Sequence, residues 1–377
     1  MIYRAIGVMS GSSLDGLDIA FAEFQENAGK WSYDIKQAAC YPYSKEWVEK
    51  LKTATSLPAR DYQLLHADYG HYIGQQINQF IEENNLHYQV ALISSHGHTS
   101  FHDPSKKMTA QLGDGAAIAA ETALPVVTDL RSLDVAFGGQ GAPIVPIGEK
   151  LLLGDYDYFL NIGGIANISI NSQPYLAFDI CPANRVLNML ANELGKEFDE
   201  NGEMAAMGKI DEELVQKLNS LDYYKRPAPK SLANEFGTEI VYKMIHDSGC
   251  GMQDALRTYV EHISMQVAMS LKERFTLQTS RSTPVADSSS FRPHDSRLLV
   301  TGGGAFNHFL IERIREHVRE LNVEVIVADE NLVNYKEALI MAFIGVLRWR
   351  QENNVLASVT GAKRDSIGGA LWIGQEA

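Results

Sequence analysis

The sequence predicts an α/β protein built from two domains of comparable bulk, on three observations. Its 377 residues exceed what one hydrophobic core usually organises. Strand-like and helix-like segments alternate along most of the chain. Two strand-turn-strand units, at residues 3–24 and 156–170, each close on a cluster of small turn formers, so the chain reads as two related halves.

The first unit, YRAIGVMSGSSLDGLDIAFAEF, has apolar residues on both sides of a Gly/Ser cluster, the pattern of a hairpin. Residues 46–86 have a helical pattern. ALISSHGHTS, at 91–100, reads as a short buried strand followed by a polar loop, and VVTDLR at 126–131 repeats that arrangement. The second hairpin is YDYFLNIGGIANISI, at 156–170. Helical segments follow from about 184 to 275, interrupted by RPAPKSLANEFG at 226–237, where prolines and small residues mark a loop. The Ser/Thr/Pro-rich stretch 279–296 predicts a surface connection without a role in function. RLLVTGGGAFN, at 297–307, reads as a buried strand ending in three glycines at the start of a helix. EVIVADE supplies another strand, and KEALIMAFIGVLRWR at 336–350 an apolar closing helix.

A net charge of −14 argues against a nucleic-acid partner or an anionic membrane surface, because phosphate binding of that kind draws on clustered Lys and Arg. Phosphates must then be met locally, by backbone amides. No apolar run approaches the roughly 18 residues of a membrane span, and the N-terminus lacks the charged-then-apolar build of a secretion signal. A cytoplasmic protein is expected. Cys40, Cys181 and Cys250 lie far apart without a CxxC pair, so neither a zinc site nor a disulfide framework is indicated.

Three loops suit phosphate. MSGSSLDGLD, at 9–18, packs small residues into a tight turn where backbone N–H groups can approach an oxyanion, with Gly11, Ser12, Ser13 and Gly16 as the cradle and Leu14, Leu17 and Asp18 completing the segment. Asp15 is expected to partner magnesium, directly or through water, since a carboxylate beside phosphates repels them unless a cation intervenes. The equal alternative is an ordinary turn in which Asp15 bonds local amides. Gly163 and Gly164 form the second loop, with Asn161 and Asn167 nearby in sequence. Gly302, Gly303 and Gly304, followed by Asn307, form the third, suited to a nucleotide lying against bare backbone. GGGAFN is not GxGxxG and the chain has no GxxxxGK[ST], so neither a dinucleotide fold nor a P-loop is supported.

These loops occur in the order of the actin-like kinase superfamily. GVMSGSSLDGLD, SSHGHT, QLGDGAAIA, VVTDLRSLDVAFGGQGAPIVP, LNIGGIANIS, PAPKS and VTGGGAFN together resemble the anhydro-N-acetylmuramic acid kinases over nearly the whole chain, most distinctively from Asp129 to Pro146. The resemblance implies a two-domain actin-like (ribonuclease H-like) sugar kinase fold with a central inter-domain cleft. One domain is expected from 1–130 plus 345–377, and the other, with a helical insertion and the adenosine loop, from 131–344. It also implies ATP and Mg2+ as cofactors, a homodimer, and hydrolytic opening of the 1,6-anhydro ring with phosphorylation of O6.

In the family motif FD(T/C)GPGN the Asp is the base that activates water, and the matching FDICPAN carries Asp179. Pro182 and Asn184 are retained, while Ile180, Cys181 and Ala183 depart from the pattern and put added bulk beside the base, which leaves the substrate more open than the reaction. Arg131 suits a sugar carboxylate through its planar fork, or alternatively pairs with Asp129 or Asp134, which themselves read as structural. Gly138, Gly139, Gln140 and Gly141 are expected to form a flexible loop on the sugar side. Glu337 either helps hold water or sugar, as the resemblance implies, or is a first-turn helix acid. His96 and His98 lack a third ligand and read as loop-shaping or sugar-contacting. Lys230 matches a family lysine, but Leu232, Ala233, Asn234 and Glu235 after it depart from the pattern. A kinase for another anhydrosugar such as levoglucosan, and a non-catalytic actin-like nucleotide-binding scaffold or sensor, are the competing readings.

Overall fold

The computed structural model describes residues 1–11, 13–280 and 296–374. Ser12 and nearly all of the surface connection expected at 279–296 lie outside the described residues. The chain divides into two compact units, Met1–Gly154 with Tyr335–Ala377, and Asp155–Asn334. This division keeps residues 131–154 and 335–344 with the first unit, where the sequence assigned them to the second.

The first unit is built on a six-stranded sheet. Its strands β1 (Ile2–Ser10), β2 (Gly16–Asn27) and β3 (Lys30–Pro42) form an antiparallel meander, and β4 (Leu92–Ser95) pairs parallel to β1. The short strands β5 (His98–Asp103) and β6 (Met108–Leu112) make a separate hairpin, so the polar loop expected after β4 is a strand from His98 onward. β7 (Val126–Thr128) pairs parallel to β4, and Ala370–Trp372 closes the sheet antiparallel to β7. The central strand reads as continuously apolar because both faces are covered. On one face Ile6, Val8, Leu17 and Ile19 pack with Tyr69, Ile73, Ile77 and Phe80 of the helix Ala59–Glu83. On the other, the helix Glu330–Trp349 approaches so closely that a Cβ on Gly7 would lie 1.8 Å from the Ala338 carbonyl oxygen. The stretch is two helices joined at a kink at Tyr335 (φ −119°, ψ 15°), so the second begins where the sequence suggested and Glu337 lies in its first turn.

The second unit repeats the plan. Its strands β8 (Tyr158–Ile162), β9 (Ile165–Ile170) and β10 (Leu176–Pro182) form an antiparallel meander, and β11 (Ser296–Thr301) and β12 (Val323–Val327) add in parallel beside β8, in the order β10-β9-β8-β11-β12. Three antiparallel strands followed by two parallel ones is the same five-stranded topology as β3-β2-β1-β4-β7. The two related halves expected from the paired hairpins are therefore two ribonuclease H-like sheets, the duplicated α/β plan of the actin-like fold. Apolar faces of the helices Asn184–Glu193, Met252–Ser280 and His308–Val318 fill the core of this unit, with Tyr259, Ile263 and Ile314 wholly buried.

Candidate active site

In the first unit the hairpin β1–β2 has a tip of five residues, Gly11 to Asp15, and Leu14 takes φ 59° there. Asp15 turns Oδ1 inward, accepting from the Ser13 hydroxyl at 2.7 Å and the Gly16 N–H at 3.0 Å. This is the local turn pattern that the sequence offered as the alternative to a metal role, yet the residue stays exposed and, among the described residues, only Oδ1 is engaged. Leu17 is fully buried in the core of the unit, so its place in the loop is structural. Asp18 sits on β2 opposite Cys40 of β3. Burial first, then the charges of Asp15 and Glu337, raise its carboxyl to about 6 against a hydrogen bond from Cys40 that lowers it. Burial and that same bond push the Cys40 thiol up to about 12, which leaves it an unreactive donor. Beneath the tip, the hydroxyls of Tyr69 and Tyr43 lie 2.6 Å apart, Tyr43 donates to Ser10 Oγ at 2.8 Å, and Ser10 Oγ meets His98 Nδ1 at 3.0 Å. A buried polar chain thus holds the residue at which the hairpin begins.

Arg131 follows β7. Its Nε donates to His96 Nε2 at 2.7 Å and its Nη1 to the Gly141 carbonyl. His96 is buried, and burial with the adjacent guanidinium lowers its pKa to about 3, so the ring is neutral. Since Nε2 accepts, Nδ1 carries the hydrogen and donates to the Gly97 carbonyl at 2.8 Å. Arg131 thus forms neither of the ion pairs the sequence offered. Burial lowers it to about 10, opposed by Glu337 and Asp134 at longer range. Two of its nitrogens are engaged, and among the described residues Nη2 makes no hydrogen bond.

The loop Gly138–Gly141, expected to be flexible, is tied down instead. Asp134 accepts from the Gly141 N–H at 2.7 Å and from the Thr360 hydroxyl at 2.7 Å, the Gly139 N–H donates to the Asp134 carbonyl, and the Gln140 N–H donates to the Thr360 carbonyl. The Gln140 side chain is left exposed on that fixed backbone. His96 and His98 therefore shape the structure around Ser10 and Arg131. Among the described residues no group of three His, Cys, Asp or Glu is placed to hold a metal by itself.

In the second unit Asn184 ties two glycine turns together. Its N–H donates to the Gly163 carbonyl at 3.0 Å, the Ala183 N–H donates to Gly164 O at 2.8 Å, and Asn184 Nδ2 donates to Ile162 O at 3.0 Å. A Cβ on Gly304 would lie 2.2 Å from Ile162 Cγ2, so nothing larger fits there, whereas one on Gly303 would lie 3.7 Å from that Nδ2, an ordinary contact distance. Gly302 takes φ 80°, open to glycine at little cost. The glycines lead into a 3-10 turn, Gly303–Phe306, and only then into the helix His308–Val318, whose cap is Asn307 accepting from the Leu310 N–H at 2.9 Å. A cavity of about 450 Å³ is lined by Asn184, Asn188, Phe198, Gly303, Phe306 and Asn307. The structure thus places Asn184 beside the second and third glycine loops. The sequence reading missed Asn188, Phe198 and Phe306. Phe198 and Phe306, 54% and 42% exposed, were legible only as apolar residues in polar stretches.

Asp179 lies on β10 at a bulge between Asp179 and Cys181. Its Oδ2 accepts from the Leu232 N–H at 2.8 Å, its N–H donates to Lys230 O at 2.9 Å, and its carbonyl accepts from the Tyr223 hydroxyl at 2.7 Å. Burial raises its pKa and the Leu232 N–H pulls it back. Lys230 Nζ donates to the carbonyls of Tyr223 and Tyr224 at 3.4 Å and lies 4.9 Å from the Tyr223 ring. The segment Lys230–Leu232, whose role the sequence left open, fixes Asp179, its carboxylate through the Leu232 N–H. Ile180, Cys181 and Ala183 are buried in the core of the unit, so the bulk that departs from the family motif packs inward.

A profile described as anhydro-N-acetylmuramic acid kinase matches residues 3–374. The chain belongs to this family. Among its curated relatives, an anhydro-N-acetylmuramic acid kinase of Francisella tularensis subsp. novicida is 31% identical, covering 97% of each chain. That of Haemophilus influenzae is 30% identical over 97% of each chain, and that of a Sulfurovum species 29% identical over 98% of this chain and 99% of its own. A solved structure, the activator of the 2-hydroxyisocaproyl-CoA dehydratase from Clostridium difficile, aligns with 92% of this chain at 14% identity and a TM-score of 0.39, too distant to bear on fold or function. No described helix of this family member is long and apolar enough to cross a membrane.

Proposed function

We propose that this chain is a kinase that uses ATP and water to open the 1,6-anhydro ring of 1,6-anhydro-N-acetylmuramic acid and phosphorylate O6, giving N-acetylmuramic acid 6-phosphate. Membership of the kinase family over residues 3–374 carries this reading, and the clamped carboxylate of Asp179 supports its mechanism. Asp179 takes a proton from water as the water oxygen bonds to the anomeric carbon. The C1–O6 bond breaks, and O6 takes the γ-phosphoryl group as ADP leaves. The Leu232 N–H occupies Oδ2 and stops the carboxylate from rotating, which leaves Oδ1 as the proton acceptor. Burial keeps that carboxylate basic enough to work.

The glycine turns at Gly163–Gly164 and Gly302–Gly304, with the cavity beside Asn184, suit a nucleotide held by backbone amides. Magnesium is bound in such enzymes by one or two carboxylates plus phosphate oxygens and waters. The exposed Asp15, with only Oδ1 engaged by its own turn, fits that donor set through water; Asp18 is the second carboxylate of the hairpin. The ion would neutralise charge developing on the transferred phosphoryl group. Gln140 on its fixed loop, Arg131 and Glu337 are assigned to the sugar, Arg131 meeting the lactyl carboxylate through Nη2.

A coupled ADP-release assay over a panel of anhydrosugars tests the reading. Release with 1,6-anhydro-N-acetylmuramic acid and Mg-ATP is expected. Release with levoglucosan alone would replace the substrate, and no release with any of them would remove the kinase assignment.

A further inference from the structure

The three glycine loops, at residues 9–18, 160–169 and 300–307, contain no Lys or Arg, and the whole chain carries a net charge of −14. A nucleotide triphosphate bound by backbone amides alone would meet an unfavourable field. One basic side chain stands at such a loop. Arg185 follows Asn184 in the first turn of the helix Asn184–Glu193, and a Cβ placed on Gly164 would lie 3.6 Å from its Nε and 3.8 Å from its Nη2. The side chain is exposed and, among the described residues, makes no ion pair or hydrogen bond. Other arginines are spent on carboxylates, as Arg313 and Arg257 are on Glu261 and Arg350 is on Glu352.

A structural role does not account for this placement. A cation in the first helical turn opposes the macrodipole. Placed against the second glycine turn, that same arrangement adds the guanidinium to the positive end of a helix, which suits an anion. The helix also gives direction. Asn184 stands between both turns, with its N–H on Gly163 O and its Nδ2, which donates to Ile162 O, 3.7 Å from where a Cβ on Gly303 would lie at the cavity of about 450 Å³. A nucleoside in that cavity would extend its phosphates past Asn184 toward Gly164.

We propose that Arg185 binds the terminal phosphates of the nucleotide beside the Gly163–Gly164 turn, as a charge-assisted, fork-shaped donor in a subsite otherwise made of backbone. The proposal rests on the kinase reading and adds a phosphate-binding residue to its nucleotide site.

Calorimetric titration of the full-length protein with Mg-ATP and with adenosine tests it, using wild type, R185A and R185K. R185A is expected to weaken ATP binding about tenfold or more, the usual size of a charge-assisted hydrogen bond, with adenosine unchanged and a shallower salt dependence. R185K should recover part of the loss. ATP binding by R185A within about twofold of wild type would overturn the proposal, as would an equal loss for adenosine, which would mark a merely structural effect. Wild-type protein that binds no nucleotide would instead break the nucleotide reading itself, a result distinct from either.

Discussion

The two halves share one sheet topology but differ at the corresponding hairpins. In the first unit β1 and β2 are joined by a five-residue tip carrying Asp15, close in sequence to the half-buried Asp18 and braced from below by Tyr69, Tyr43, Ser10 and His98. In the second, β8 and β9 are joined by Gly163 and Gly164 alone, with Asn184 and Arg185 against them and Asp179 on the next strand. One hairpin gathers carboxylates, which suits a cation. The other gathers amides and a guanidinium, which suits phosphate. A duplicated scaffold can therefore specialise without changing topology, by altering the residues at one tip and behind it.

The sharpest test of that division is at β10. Asp179→Asn should lower turnover by about 10²–10⁴-fold, the contribution of a general base, with ATP affinity kept within about twofold by titration. Full residual activity would move the base elsewhere. Next in size are two glycine substitutions that separate the hairpins. Gly7→Ala forces a Cβ to 1.8 Å from Ala338 O in backbone packing, so a loss of several kcal/mol is expected in denaturant unfolding, enough to threaten the fold. Gly164→Ala meets only the Arg185 side chain, no closer than 3.6 Å, and should fold normally while weakening ATP binding.

A subtler change is Leu232→Pro, which deletes the N–H that lowers the pKa of Asp179. The carboxylate must be ionised to act, so the acidic limb of the kcat profile should move to higher pH, and an unmoved limb would show that the clamp does not tune the base. Asp18 gives the smallest expected effect. Its folded pKa of about 6 lies above its ordinary 3.8, so the folded chain binds the extra proton between those values. Stability is then lost as pH rises through that window, and the loss is complete above about 6. Asp18→Asn should therefore raise the Tm of the ligand-free protein at pH 8 by a few degrees, with the gain vanishing near pH 4. An equal change in Tm at both pH values would deny Asp18 that charge cost.

Much of this division was legible in the sequence, because hairpins and glycine turns are written locally. The two strand-turn-strand units, the three loops and the FDICPAN carboxylate all occupy contiguous residues. What was not legible depends on contacts between residues far apart in the chain. Nothing near Asp179 announces that Leu232 will hold its Oδ2, and nothing near Gly138–Gly141 announces that Asp134 and Thr360 will pin them. Arg131 looked able to offer its whole fork because its acceptors, His96 Nε2 and Gly141 O, are set by tertiary structure.

The central claim is that water attacks the sugar while O6 takes the phosphoryl group. Turnover in ¹⁸O-labelled water, quenched early and read by mass spectrometry, tests it directly. The account predicts one ¹⁸O on the anomeric carbon of the 6-phosphosugar and none on phosphorus, with Asp179→Asn giving labelled product only at its residual rate. Label on the phosphoryl group, or ADP released without a phosphosugar, would contradict it.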